Sequence, residues 1–171
     1  LPLQLAKKLG YTHRFMHSHS VQAQSKVFDL IHKLNRKLLP NNATAFLACS
    51  HAAGSWMFPN TSFLLSRNAI DITAYQHDEN ARKQVRNKLH VDDKFVVGHV
   101  GRFTALKNHE FLLQTFLEIK NSRSDSLLLL VGDGELESDI KVKAAQLGIA
   151  DSVLFTGRQS NVGALMSAMD M

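Results

Sequence analysis

The residues best suited to chemistry stand where three apolar runs end in glycine loops. Phe95, Val96, Val97 and Val100 lead into Gly101-Arg102-Phe103-Thr104-Ala105-Leu106-Lys107-Asn108. Leu127 to Val131 lead into Gly132-Asp133-Gly134-Glu135, and Val153-Leu154-Phe155 lead into Thr156-Gly157-Arg158-Gln159-Ser160-Asn161-Val162. In the first loop a guanidinium and an ammonium, Arg102 and Lys107, follow a glycine turn and precede a residue suited to cap a helix. Such groups are the usual donors to phosphate oxygens, and a helix N-terminus adds its dipole. The competing reading makes them surface cations of a connecting loop. In open α/β sheets ligands bind beyond the carboxyl ends of the strands, and that position favours the phosphate reading. In the second loop Gly132 and Gly134 let backbone approach a ligand closely, and Asp133 could cap the next helix or accept from a hydroxyl. A plain tight strand-to-helix turn is the stronger reading of Asp133. Glu135, Glu137 and Asp139 suit the dipole of that helix but would repel a phosphate, so this loop is expected to meet a neutral group. In the third loop, free N–H groups and small polar side chains ahead of a helix suit a base edge, an anion or simple capping. Neither glycine loop matches G-x-G-x-x-G or G-x-x-x-x-G-K-[ST], which counts against a dinucleotide fold and a P-loop ATPase.

Nine histidines invite a metal or acid–base reading. His17 and His19 would share a face if a short strand continued through them, but no third ligand follows at matching spacing, so no metal site is expected. Either could act on a substrate at the strand's end. His13, His32, His51, His77, His90, His99 and His109 are read as ordinary structure. Cys49 is the single cysteine. It allows no internal disulfide, reads as core at a buried strand end, and favours a reducing, cytoplasmic compartment.

These loops need strands and helices to hold them. From Lys94 onward the periodicity gives three strand–helix units in succession: a strand over 95–100 and a helix over 108–120, a strand over 127–131 and a helix ending at Gly148, then a strand over 153–155 and a helix from 162. That order predicts an α/β, doubly wound parallel sheet whose interior strands are apolar on both faces. The earlier part is similar but less regular. It offers short strands at 14–16, 45–49 and 63–65, a helix over 22–39 with Val27, Leu30, Ile31, Leu34 and Leu38 on one face, and a polar helix over 78–89. The helix over 22–39 is expected to pack on its own sheet in preference to lying on an acidic membrane. A domain boundary is placed at 76–93.

Composition sets the class. Of 171 residues 44% are apolar and 20% charged, which excludes a disordered chain. The longest wholly apolar runs are too short to span a bilayer, and the first residues, LPLQLAKK, lack the basic-then-apolar-then-small order of a signal peptide. The chain begins at Leu1, so it is expected to be a piece of a longer protein. Charge is uneven. Residues 1–40 carry Lys7, Lys8, Arg14, Lys26, Lys33, Arg36 and Lys37 against Asp29 alone, a net of +6 within a total of +5. A basic end suits a membrane surface or a nucleic-acid backbone, and a merely solvated face serves as well. Nucleic acid ranks last because Phe28 is the one aromatic residue interleaved in that basic helix.

Taken together, Gly101-Arg102-(x)4-Lys107-Asn108, Leu127 to Gly134 and Val153 to Gly157, in this order and spacing, resemble the family-4 glycosyltransferases of the two-domain GT-B fold. Ala48-Cys49-Ser50 and Ser66-Arg67-Asn68-Ala69-Ile70-Asp71 resemble segments that join the two domains in bacterial exopolysaccharide and capsule enzymes. The resemblance implies two Rossmann-like domains, both incomplete here. Residues 1–76 would be the C-terminal part of the acceptor-side domain, 77–93 a linker helix, and 94–171 the first half of the nucleotide-sugar donor domain. It implies that Arg102 and Lys107 bind the donor diphosphate. The loops at Gly132-Asp133-Gly134 and at Thr156, Gly157, Ser160, Asn161 and Val162 would lie near the nucleoside and sugar. Asn68 would face the cleft, with His19 as the catalytic candidate, although His17 competes with it for the alignment. The reaction implied is sugar transfer from a nucleotide diphosphate, a uridine one first, to a glycan or lipid-linked acceptor with retention. It needs no metal, no further cofactor and no protein nucleophile, because fixed cations stabilise the leaving diphosphate.

Family members extend beyond Met171 into a Glu-x7-Glu stretch and begin with a glycine-rich loop, and neither is in this sequence. The chain alone is therefore expected to have little or no transferase activity. Unpaired sheet edges invite self-association, and the basic end is expected against anionic lipid on the inner membrane face. The alternative from another class is a non-catalytic Rossmann-type nucleotide-binding module.

Overall fold

The computed structural model describes residues 2–22 and 25–171, folded as two compact units, 1–70 and 71–171. The first unit contains α1 (Pro2–Lys8), β1 (Phe15–Ser18), α2 (Lys26–Arg36), α3 (Leu39–Asn42), β2 (Ala45–Ala48), α4 (His51–Met57) and β3 (Leu64–Leu65). The second contains α5 (Glu79–Leu89), β4 (Phe95–Val100), α6 (His109–Ser122), β5 (Ser126–Val131), α7 (Glu137–Gln146), β6 (Val153–Phe155) and α8 (Val162–Ser167). Each unit holds a three-stranded, all-parallel sheet, ordered β1-β2-β3 and β4-β5-β6.

The second unit has helices on both faces of its sheet, and β5 shows why. Leu128 and Leu130 point to one face, where they meet Phe103, Leu113, Phe116, Ile140 and Ala144. Leu129 and Val131 point to the other, where they meet Val85, Val91, Val96, Leu165 and Ala168. Side chains alternate along a strand, so a strand covered on both sides must be apolar throughout. The boundary falls at Ile70/Asp71, earlier than the expected 76–93. The reason is packing: the 3-10 turn Ile72–Tyr75 and α5 both lie against α8. Helix α5, expected as a linker helix, groups with the second unit. Arg82 and Arg86 bond the carbonyls of Ser167, Ala168 and Met169 and the carboxylate of Asp170.

Three expectations for the first unit need correction. The helix expected over 22–39 runs over Lys26–Arg36, capped by the Ser25 hydroxyl, which accepts from Phe28 N–H. Part of its expected start, residues 23 and 24, lies outside the described residues. It does not pack on its own sheet: no residue of α2 is buried, and Val27, Leu30 and Leu34 stand exposed. Strands of two to four residues offer too little surface to cover an eleven-residue helix. Cys49 is half-buried at the end of β2 and not in the core, because Ser18 and Ala48 occupy the closed position beside it.

The basic end is partly consumed by structure. Lys7, Arg14 and Arg36 donate to the carbonyls of Asn41, Asn42 and Trp56, and Lys33 pairs with Asp29 at 2.7 Å. The side chains of Lys8, Lys26 and Lys37 have no ion pair or hydrogen bond among the described residues. Sheet edges are also not all open. Gly98 N–H on β4 donates to Met171 O at 2.7 Å, and Asp170 N–H to Val96 O at 2.8 Å, so the chain's last residues cover that edge. The outer edges of β1, β3 and β6 have no strand partner among the described residues. No helix there is long and apolar enough to cross a membrane.

Candidate functional site

The three glycine loops converge at the carboxyl ends of β4, β5 and β6. They enclose an open hollow of about 700 Å³, lined among others by Gly101, Arg102, Gly132, Asp133, Gly134 and Arg158. Backbone hydrogen bonds lock the loops to one another. Gly101 N–H donates to Val131 O at 2.9 Å, Phe103 N–H to Asp133 O at 2.8 Å, and Gly132 N–H to Gly157 O at 2.9 Å. Gly132 and Gly134 have φ of +142° and +157°, and a side chain on either would collide with the backbone of Gly101 or Phe103. Their first duty is to bring the loops together, and that contact shapes the hollow. Phe103 is fully buried beneath it, edge-on to Phe155 and His109.

Of the expected site residues, Arg102, Gly132, Asp133, Gly134 and Val162 line this hollow. Arg102 is well exposed, and its guanidinium lies 3.5 Å from the Glu135 carboxylate. The acid expected to repel a phosphate is therefore paired with the cation expected to bind one. Such an exposed pair is weak and screened, so Arg102 can exchange the carboxylate for a phosphate oxygen. Lys107 is exposed at the end of the 3-10 turn Ala105–Lys107, and its Cε lies 3.6 Å from the position of a Cβ on Gly101. Asp133 does not cap α7: the cap position is Leu136, without a side-chain bond. The Asp133 carboxylate is exposed and unpaired among the described residues.

The third loop divides. Thr156 and Asn161 line a separate, smaller hollow with Val85, Lys88 and Leu165. The Thr156 hydroxyl is turned back onto Leu130 O at 3.3 Å. Gly157 serves through its carbonyl, and Ser160 is exposed. Arg158 reaches the main hollow instead and Gln159 lines both hollows, and sequence reasoning did not single them out. The signal was available for Arg158, since a cation in a strand-end loop is the criterion that selected Arg102.

His19 and Asn68 belong to the first unit, both exposed, beyond the carboxyl ends of β1 and β3. His19 Nε2 is 3.2 Å from His17 Nδ1, with ring centroids 4.1 Å apart. Both line a hollow of about 820 Å³ walled mainly by β1, α2 and α3. The described residues contain no cluster of three His, Cys, Asp or Glu side chains able to hold a metal.

Comparison with known proteins bears on this arrangement. A family model described as glycosyl transferases group 1 matches residues 80–171. The protein named "Putative glycosyltransferase EpsF" of Bacillus subtilis (strain 168) is 30% identical over 176 residues, spanning 97% of this chain and 46% of that protein. The crystal structure of Anabaena Alr3699/HepE in complex with UDP-glucose superposes with a TM-score of 0.82 at 22% identity, over 97% of this chain and 47% of that one. That of WaaG, a glycosyltransferase involved in lipopolysaccharide biosynthesis, superposes with a TM-score of 0.71 at 15% identity, over 98% of this chain and 54% of that one. The chain thus spans about half the length of these relatives. At those identities the structures establish the fold, which is GT-B. With the family model matched across the whole run of loops that shapes the hollow, and over more than half of its residues, the chain belongs to the glycosyl transferases group 1 family.

Proposed function

We propose that this chain is part of a retaining glycosyltransferase that takes a sugar from a uridine diphosphate donor and builds cell-surface polysaccharide on a glycan or lipid-linked acceptor. The observation that carries the reading is the convergence of three strand-end loops on one hollow presenting Arg102 and Arg158 beside Gly132 and Gly134. As the bond to the leaving diphosphate breaks, its negative charge grows, and preorganised cations stabilise the transition state more than the ground state. Arg102, Lys107 and Arg158 supply that charge here. The exposed Asp133 carboxylate and the polar Gln159 are placed for neutral hydroxyls of the donor. No metal or further cofactor has a role in this scheme. The uridine assignment draws on Alr3699/HepE, whose structure holds UDP-glucose, and the polysaccharide role on WaaG, a glycosyltransferase involved in lipopolysaccharide biosynthesis. The second unit is the donor side and the first the acceptor side, where His19 and Asn68 would face the substrate. The protein works in the cytoplasm, with Lys8, Lys26 and Lys37 toward anionic lipid at the inner membrane face and no contact with nucleic acid. Liposome co-sedimentation that is equal for neutral and anionic vesicles contradicts the membrane contact.

Titration with uridine, adenosine and guanosine diphosphates tests the site. One nucleotide is expected to bind, and Arg102→Ala and Lys107→Ala are each expected to weaken it about tenfold or more, the worth of one charge-assisted hydrogen bond. Affinity unchanged by both substitutions removes the phosphate reading. The chain alone is expected to transfer no sugar, and the expected association through the free edges of β1, β3 and β6 gives oligomers in light scattering. A monodisperse monomer contradicts the latter.

A further inference from the structure

Two histidines read from the sequence as ordinary structure lie directly behind the phosphate loop. His99 is the fifth residue of β4 and His109 the first of α6. Their rings stand perpendicular with centroids 4.8 Å apart, and Phe103 closes the far side of His109 at 4.8 Å. His109 is 3% exposed, and neither of its ring nitrogens has a hydrogen-bond partner; His99 Nε2 is likewise buried and unpartnered. Buried polar atoms without partners are rare and costly, so three in one cluster ask for a reason. The position of His99 supplies one. Its Nε2 lies 3.0 Å, and the Lys107 Cε 3.6 Å, from the point where Gly101 would carry a Cβ. An imidazole and a lysine stem therefore converge on the bare Cα of the first residue of the loop.

We propose that His99, braced by His109, is a positioning residue of the anion site: it seats the Lys107 stem over Gly101 and takes up a proton from solvent when an anion is held there. The inference rests on the reading of the hollow as a diphosphate site. The charged and titratable groups facing His99 are few. The 3-10 turn contributes Lys107 and α6 contributes His109, while β5 presents Leu130 as its register partner. Arg102 is engaged with Glu135, and Glu110 with Lys143 at 2.8 Å. Burial first, and the Lys107 charge second, hold His99 below the usual histidine range; burial, His99 and Lys107 do the same to His109. In the free protein the pair is therefore neutral at neutral pH. A diphosphate beside Lys107 cancels that cation's field and adds negative charge, which raises the proton affinity of His99. By linkage, a group that gains a proton on binding makes binding tighter as pH falls.

Two arms test this. In the ligand-free chain, NMR titration of the histidine ring protons is expected to show the His99 midpoint rising in Lys107→Ala, a change at an exposed residue. A midpoint that stays put overturns the shared seat of lysine and imidazole, whether or not any nucleotide binds. In the second arm UDP-glucose is the probe, because its diphosphate is esterified at both ends and does not itself titrate near neutrality. Calorimetry is expected to find binding about threefold or more tighter at pH 5.5 than at pH 7.5 in the wild type, with proton uptake from buffer. His99→Gln, which keeps a polar side chain that cannot titrate, is expected to bind equally at both. The same pH response in both proteins overturns proton uptake at His99. Absence of UDP-glucose binding by the wild type, with the expected first arm, overturns the donor reading and the uptake together while upholding the lysine–imidazole seat.

Discussion

Replacing Arg86 with alanine is expected to cost about 3–5 kcal/mol of stability, because it breaks a buried ion pair and leaves the carbonyls of Asp92, Lys94 and Ala168 without their donor. Arg86 is 7% exposed. One of its nitrogens donates to Ala168 O at 2.9 Å and to Asp170 Oδ2 at 3.1 Å, and the other to the carbonyls of Asp92 and Lys94. Asp170 in turn accepts from Val96 N–H at 2.8 Å and from Arg82 at 2.6 Å. This network ties α5, the start of β4 and the end of α8 into one body, so its loss should be read by urea denaturation as a lowered midpoint. Asp170 makes the same network sensitive to acid. Burial alone would raise its carboxyl, but the bonds from Val96, Arg82 and Arg86 outweigh burial and hold it below the ordinary aspartate value. A group lowered in the folded state contributes stability above its unfolded value, near pH 3.9, and loses it as pH falls through the folded one. Asp170→Asn should therefore destabilise the protein at pH 7 and flatten the loss of stability below about pH 4. An acid limb unchanged by that substitution would show that other carboxylates govern it.

Gly132→Ala is expected to cost about 2–4 kcal/mol, combining a strained backbone with a steric conflict that no side chain can relieve. The added methyl group would meet the Gly101 carbonyl oxygen, and backbone on both sides leaves no flexible partner to yield. Gly134→Ala meets Phe103 N at 2.7 Å and should behave alike. Parting the loops also breaks the bonds from Gly101 N–H to Val131 O and from Phe103 N–H to Asp133 O. Arg102 would then lose its place relative to Arg158, so nucleotide affinity should fall with stability. Gly148→Ala is a suitable control, since Gly148 also has a positive φ, +70°, but open space around it. A Gly132→Ala protein as stable as Gly148→Ala would remove the close approach from the account of the site.

How much of this was legible beforehand depends on how far apart the participating residues lie. The central strand was readable because Leu127 to Val131 carry their own burial: a run apolar on both faces can only sit between two layers. The three loops were readable because glycine after an apolar run, with a cation or small polar residues behind it, is a local pattern. The presence of α2 was readable from its periodicity, but its shorter extent and its exposure were not, since coverage depends on how much sheet surface a neighbouring element provides. The pairing of His99 with His109 was hidden because a strand end and a helix start ten residues apart meet only after the loop between them has folded. Arg86 with Asp170, 84 residues apart, was hidden more deeply. The glycines illustrate both sides. Sequence alone marked Gly132 and Gly134 as points of close approach, and the tertiary structure decided that the partner approached is the neighbouring loop. Patterns within one element determine what that element is, because periodicity and turn chemistry act over a few residues. The partner of each side chain is decided by the packing of elements against one another, and here that packing makes one hollow from three loops.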